Sequence, residues 1–141
     1  MSFFGTISSK KHNSLRLIIQ LAQSYTDKKP VSLSEISSEE GISIKYLEQL
    51  IMPFKRADII KSQRGRSGGY IMIKDPKKIS LKEIIWLIND SPSLAICLDK
   101  DYDKSCNYDH NCISKNIWGK IQKSMEGFLD KIYLSEILEN K

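Results

Sequence analysis

The stretch from Gly41 to Tyr70, GISIKYLEQLIMPFKRADIIKSQRGRSGGY, admits few folds. Ile44, Leu47, Leu50, Ile51 and Phe54 recur at helical spacing and predict a buried stripe. Ser43 stands ahead of them as an N-cap, its hydroxyl placed to accept from a first-turn N–H. Lys45, Tyr46, Glu48, Gln49, Lys55 and Arg56 then fall on or beside the outer face. Pro53 sits late in this helix and lacks a backbone donor, which predicts a kink or an early end there. A strand is expected over Asp58 to Arg64, a glycine turn over Gly65 to Gly69, and a return strand over Tyr70 to Ile73. A polar helix beside a hairpin bearing Arg64 and Arg66 predicts a winged helix-turn-helix. Its helix would enter the DNA major groove, and its wing tip would reach a neighbouring groove or the phosphates. A solvated helix face and an ordinary surface hairpin account for any one of these cations. They account less well for three arginines (Arg56, Arg64, Arg66) around one glycine turn.

The flanking chain fits the same plan. Thr6 to Lys11 is polar and then basic, and a helical face begins at Ser14 with Leu15, Ile18, Ile19, Ala22 and Tyr25. Pro30 ends that helix by pushing the residue before it out of the α region. Ser32 and Glu35 form a capping-box pattern for a short helix that stops near Glu40, with Gly41 as the turn. Ser80 and Glu83 repeat the pattern ahead of a helix carrying Leu81, Ile84, Ile85, Leu87 and Ile88, which stops at the run Asn89 to Pro92. An irregular loop from Ser93 to Ser114 follows.

A last helix is predicted from Ser114 to Lys131, with Ile117, Trp118, Ile121, Met125, Phe128, Leu129 and Ile132 along one broad apolar stripe. Pairing with a second copy would bury that stripe and match a palindromic site. Packing back onto its own domain is the other solution. Residues 134–138 read as a closing helical turn. The expected class is therefore mainly α with a small β-hairpin wing. Residues 1–90 form the winged helix-turn-helix domain, 91–113 a cysteine-containing sensor loop, and 114–141 a dimerisation helix and tail.

Charge is segregated along the chain. Residues 1–82 hold 15 lysines and arginines against 7 acids, a net +8, while residues 83–141 hold 7 against 10, a net −3. A basic half containing the predicted DNA-binding elements fits a polyanion partner. No apolar run approaches the roughly 20 residues that span a bilayer. No apolar signal segment follows the first five residues, so a cytoplasmic protein with no membrane partner is expected. There is no phosphate-binding loop, no nucleophile beside a base and no recognisable acid/base carboxylate pair, so an enzyme is not expected.

Cys97, Cys106 and Cys112 are the chain's three cysteines, and all lie in the irregular loop. Three thiols in a cytosolic chain argue against a disulfide framework. The spacing lacks the paired knuckles of a zinc ribbon and the tight run of bacterial ferredoxins. It still permits three thiolates around one face of an iron–sulfur cluster. Asp99, Asp101, Asp103 and Asp109 add oxygen donors, and His110 and His12 are candidate fourth ligands. A metal-free thiol switch is the alternative, and cysteines packed as small hydrophobes fit poorly with such polar surroundings.

With these residues placed, the chain resembles the Rrf-two family of bacterial winged-helix regulators. The resemblance covers nearly the whole chain. It rests on Ser14-Leu15-Arg16, on Val31-Ser32-Leu33 with Glu35-Ile36, and on Gly41-Ile42-Ser43 with Tyr46-Leu47-Glu48-Gln49-Leu50. It continues in Arg64-Gly65, Gly68-Gly69-Tyr70 and Gly127-Phe128-Leu129. It implies a homodimeric transcription factor that binds double-stranded DNA, with the long C-terminal helix at the dimer interface. It further implies that Tyr46, Glu48 and Gln49 contact the major groove and that Arg64 enters the minor groove. Ser43, Lys45, Arg56 and Arg66 complete the expected DNA face. The three loop cysteines place the chain with the IscR/NsrR-like branch, which holds a 2Fe–2S or 4Fe–4S cluster and senses redox state, nitric oxide or cluster status. Cys106 and Cys112 match the branch's spacing, Cys97 lies farther upstream than in IscR-like members, and Lys115 stands where those members have a histidine. His12 falls at the position from which NsrR-like members supply a ligand to the other subunit. The competing expectation is a metal-free regulator that senses thiol state or a metabolite.

Overall fold

The computed structural model describes residues 7–88, 93–99, 106 and 111–139. Its first helix, α1 (Ser9–Gln23), begins earlier than the apolar face alone predicts, because Ser8 caps it by accepting from the Lys11 N–H at 3.3 Å. Leu17, Ile18, Leu21 and Ala22 then face inward. The helix α2 (Leu33–Glu40) starts at the full capping box: Ser32 Oγ accepts from the Glu35 N–H at 3.1 Å, and the Glu35 carboxylate accepts from the Ser32 N–H at 2.8 Å. It ends at Gly41, whose φ of 67° is the left-handed conformation a glycine takes without a Cβ penalty.

The helix α3 (Ile44–Arg56) buries Leu47, Leu50, Ile51 and Phe54, as the periodicity predicts. One expectation about it fails, and one of the two outcomes expected at Pro53, the early end, does not occur. Ile44 keeps 44% of its surface exposed, because it is the first helical residue and the packed stripe begins one turn later. Pro53 does not end the helix, which runs three residues past it to Arg56. The end is set by a Schellman closure. Asp58 adopts φ 53°, the Ile59 N–H donates to the Phe54 carbonyl at 3.0 Å, and the Asp58 N–H donates to the Lys55 carbonyl at 3.2 Å. That turn delivers Ile59 and Ile60, both buried, straight into the core.

Strands β1 (Ile60–Gln63) and β2 (Gly69–Met72) pair antiparallel, from Ile60 opposite Met72 to Gln63 opposite Gly69. The hairpin is tied down by a third segment. The Val31 N–H donates to the Tyr70 carbonyl at 2.9 Å, and the Tyr70 N–H donates to the Val31 carbonyl at 2.8 Å. The helix α4 (Leu81–Ile88) starts at Ser80, which accepts from the Glu83 N–H at 3.2 Å. Its capping box is half made, since the Glu83 carboxylate instead accepts from Lys74 Nζ at 2.7 Å. The expected stop at residues 89–92 lies outside the described residues.

The helix α5 (Ile113–Leu129) buries none of its residues. After it the chain returns to the domain: the Leu81 N–H donates to the Ile132 carbonyl at 2.7 Å, and the Leu134 N–H donates to the Ile79 carbonyl at 2.9 Å. Leu134, which opens α6 (Leu134–Glu139), is fully buried in the same core as Leu17, Phe54, Ile79 and Ile84. No helix among the described residues is long and apolar enough to cross a membrane.

Candidate nucleic-acid interface and cysteine loop

The outer face of α3 is built from the side that the core leaves free. Lys45, Glu48, Gln49, Met52 and Arg56 are exposed along it, and Ile44 lies at its leading edge. Ser43 serves as the N-cap, its Oγ accepting from the Tyr46 N–H at 3.3 Å. Tyr46 itself is half buried and packs against the core, so only part of its ring remains for a ligand. Met52, 40% exposed, is an outer-face residue that the apolar/polar pattern did not single out.

The wing projects beside this face. Arg64, Gly65, Arg66 and Ser67 are all exposed, and Gly65 takes φ 124° at the tip. A Cβ at Gly68 would sit 2.6 Å from the Gln63 carbonyl oxygen, and one at Gly69 would collide with the Val31 carbonyl. The run of glycines is therefore set by close backbone approach as well as by the turn. Lys55 Nζ lies 5.7 Å from the centroid of the Tyr70 ring, linking the last turn of α3 to the return strand. Arg66 and Ser67 also border a shallow depression of about 260 Å³ with Lys29, Ser32 and Glu35 at the start of α2. The Ser32 hydrogen bonds, backbone first and then hydroxyl, hold the Glu35 carboxyl below its usual value of 4.5.

A second set of contacts orients α2 against α1. Arg16 Nη2 donates to the Glu40 carbonyl at 2.9 Å, and its guanidinium also pairs with the Glu40 carboxylate, which accepts from Gln20 as well. The last carbonyl of α2 is thus satisfied from α1.

The cysteine loop is described in part. Cys97 lies half buried in a 3₁₀ turn, Ile96–Leu98, Cys106 is exposed, and Cys112 caps α5, its Sγ accepting from the Lys115 N–H at 3.4 Å. All three thiols are free. Among the described residues, no three His, Cys, Asp or Glu side chains are gathered as a ligand set. Thiolates are the right donors for an iron–sulfur cluster, and Cys97, Cys106 and Cys112 are the residues that would hold one. His12 is exposed on the first turn of α1. His110, Asp101, Asp103 and Asp109 lie outside the described residues.

Comparison with known proteins agrees with this architecture. The model of the family described as Rrf2, iron-dependent transcriptional regulator, matches residues 7–140. The chain belongs to the Rrf2 family. It is 29% identical to the HTH-type transcriptional regulator IscR of Serratia proteamaculans, over 96% of this chain and 80% of that protein. It is 33% identical to IscR of Klebsiella pneumoniae, over 79% of this chain and 67% of that protein. Among solved structures, T. potens IscR superposes with a TM-score of 0.75 at 33% identity, covering 96% of this chain and 88% of that one. CymR, the global cysteine regulator of B. subtilis, superposes with a TM-score of 0.76 at 26% identity, covering 97% and 98%. The family match therefore runs through α6, and the chain is a DNA-binding transcriptional regulator by family.

Proposed function

We propose that this protein is a sequence-specific regulator whose affinity for DNA is set by the chemistry of Cys97, Cys106 and Cys112. The observation that carries the reading is the joint placement of α3 and the wing. The exposed α3 residues and the exposed Arg64 and Arg66 stand on elements stitched to one core by the Val31–Tyr70 pairing. In this reading Ser43, Lys45, Tyr46, Glu48 and Gln49 address the major groove. Arg64 enters the minor groove, where narrow A·T-rich segments attract arginine, and Arg56 and Arg66 hold phosphates. The protein works as a homodimer on a palindromic promoter site in the cytoplasm. The exposed Ile117, Trp118, Met125 and Phe128 of α5, which its own domain leaves uncovered, support the dimer.

An iron–sulfur cluster, 2Fe–2S or 4Fe–4S, is the proposed occupant of the cysteine loop. The cysteines' confinement to one polar loop and the likeness to proteins named IscR support it. His12 from the second copy is the proposed fourth ligand, its exposure on α1 leaving it available, with His110 as the local alternative. Two observations favour a second reading, a metal-free thiol sensor: among the described residues the three free thiols are not gathered into a ligand set, and the similar CymR is named a cysteine regulator. Anaerobic purification with a visible spectrum and iron and sulfide counts separates the two, run beside Cys106→Ala. A chromophore with stoichiometric iron and sulfide that Cys106→Ala loses supports the cluster. Colourless, iron-free protein whose DNA affinity still changes with thiol oxidation supports the second reading.

A further inference from the structure

We infer that Ile44 reads a thymine methyl group at the edge of the major groove. This inference rests on the DNA-binding reading above and adds to it a residue and the base feature it recognises.

Ile44 follows the cap residue Ser43 and opens α3, the end of a recognition helix that meets base edges. Its spacing puts it on the buried stripe, yet 44% of its surface is open. The stripe residue one turn later, Leu47, is fully buried. Isolated exposed apolar side chains are ordinary on protein surfaces. This one differs in its setting. Its surface neighbours Ser43, Lys45 and Glu48 are exposed and polar, so an apolar group is set among hydrogen-bonding ones on the face turned to DNA.

Each base pair shows the major groove a distinct pattern, and the single apolar feature in that pattern is the C5-methyl of thymine. A β-branched side chain suits it. Isoleucine in a helix is held close to one χ1 rotamer, so its methyl groups are presented with little further loss of freedom. The neighbouring carboxylate of Glu48 has the matching preference for the amino group of cytosine. The two side chains are four residues apart and so adjacent on the helix surface. The expected signature is a thymine and a cytosine close together in each half-site, the thymine chosen for its methyl group alone.

The test uses the full-length protein and a duplex it has itself selected from a random-sequence library. Each thymine of that duplex is replaced in turn by uracil, which removes only the methyl and leaves pairing intact. At one thymine per half-site the parent is expected to bind about fourfold more weakly, the value of one buried methyl-sized group. Ile44→Ala, which loses the contact in both half-sites of the dimer, is expected to bind the thymine duplex about sixteenfold more weakly and to show no further loss with uracil. Ile44→Val, which keeps the branched methyls, is expected to retain the uracil penalty. The substitutions touch a side chain that is 44% exposed at the start of the helix, and circular dichroism checks the fold. A parent with no uracil-sensitive position overturns the inference while leaving the DNA-binding reading intact. So does a penalty that persists in Ile44→Ala, or one that is lost in Met52→Ala instead. A parent that selects no sequence at all overturns both.

Discussion

Arg16 on α1 reaches Glu40, the last residue of α2, and binds it twice, through the backbone carbonyl and through the side-chain carboxylate. The Glu40 side chain is 14% exposed and that of Arg16 is 37% exposed, so the pair is shielded but still partly hydrated. The contact fixes the turn at Gly41 and with it the angle at which α3 leaves α2. Replacing Arg16 with Leu leaves the Glu40 carboxylate half buried, with the Gln20 amide as its remaining partner. A loss of about 1–2 kcal/mol is expected, reduced from the full charge-assisted value by solvent. Urea unfolding measures it. An unchanged midpoint would show the contact to be incidental.

Gly69 allows the wing to lie against the residue that precedes α2. Gly69→Ala places a methyl into the Val31 carbonyl, and backbone cannot yield as a flexible side chain would. The expected result is about 1–3 kcal/mol of destabilisation, with wing-dependent DNA binding weakened beyond what the lost stability explains. Gly65→Ala has open space around it but a φ of 124° that an L residue rarely adopts, so it too is strained. Wild-type affinity in Gly69→Ala would detach the Val31–Tyr70 pairing from function.

The Glu35 capping box gives stability a defined pH dependence. Its carboxyl titrates below 4.5 in the fold because it accepts hydrogen bonds from Ser32. The ionised form is the stabilising one, so the contribution is fully present above the unfolded value. It is lost as the pH falls through the lower folded value. Thermal unfolding of the parent and of Glu35→Gln should differ near neutrality and converge in acid. A gap that widens on acidification would contradict the assignment.

Phe128 is 66% exposed at the C-terminal end of the apolar set on α5. Phe128→Glu leaves the fold of one chain untouched and puts an unpaired charge where a second copy would sit. Sedimentation should show a dimer for the parent and a monomer for the variant. A folded Phe128→Glu dimer would place the interface elsewhere.

Much of this architecture is legible from local chemistry. The Ser32 box, the αL glycine after Glu40 and the Leu47–Phe54 stripe are short-range signals, and each forms the element it predicts. Misjudged positions depend on what lies across space or at an element's end. Ile44 carries the right period but stands where the core has not yet begun, and Pro53 loses one donor in a helix whose end is dictated by the Asp58 closure. Pairing of Val31 with Tyr70 joins residues 39 apart, and nothing in either segment announces the other. The cysteine loop is legible only as composition, because its ligand geometry would have to come from contacts that no periodicity encodes.

In the proposed function, α3 and the wing together read a particular DNA sequence. The most direct measurement is the ratio of affinities for the selected duplex and a scrambled duplex of the same length, titrated at several salt concentrations for the parent and for Arg64→Ala. A parent ratio of at least about 10³ is expected, with log K falling by several units per unit of log salt. A loss of about 1–3 kcal/mol is expected for Arg64→Ala, concentrated at one position of the site. A ratio near one, a flat salt dependence and equal binding by Arg64→Ala would contradict the proposed function.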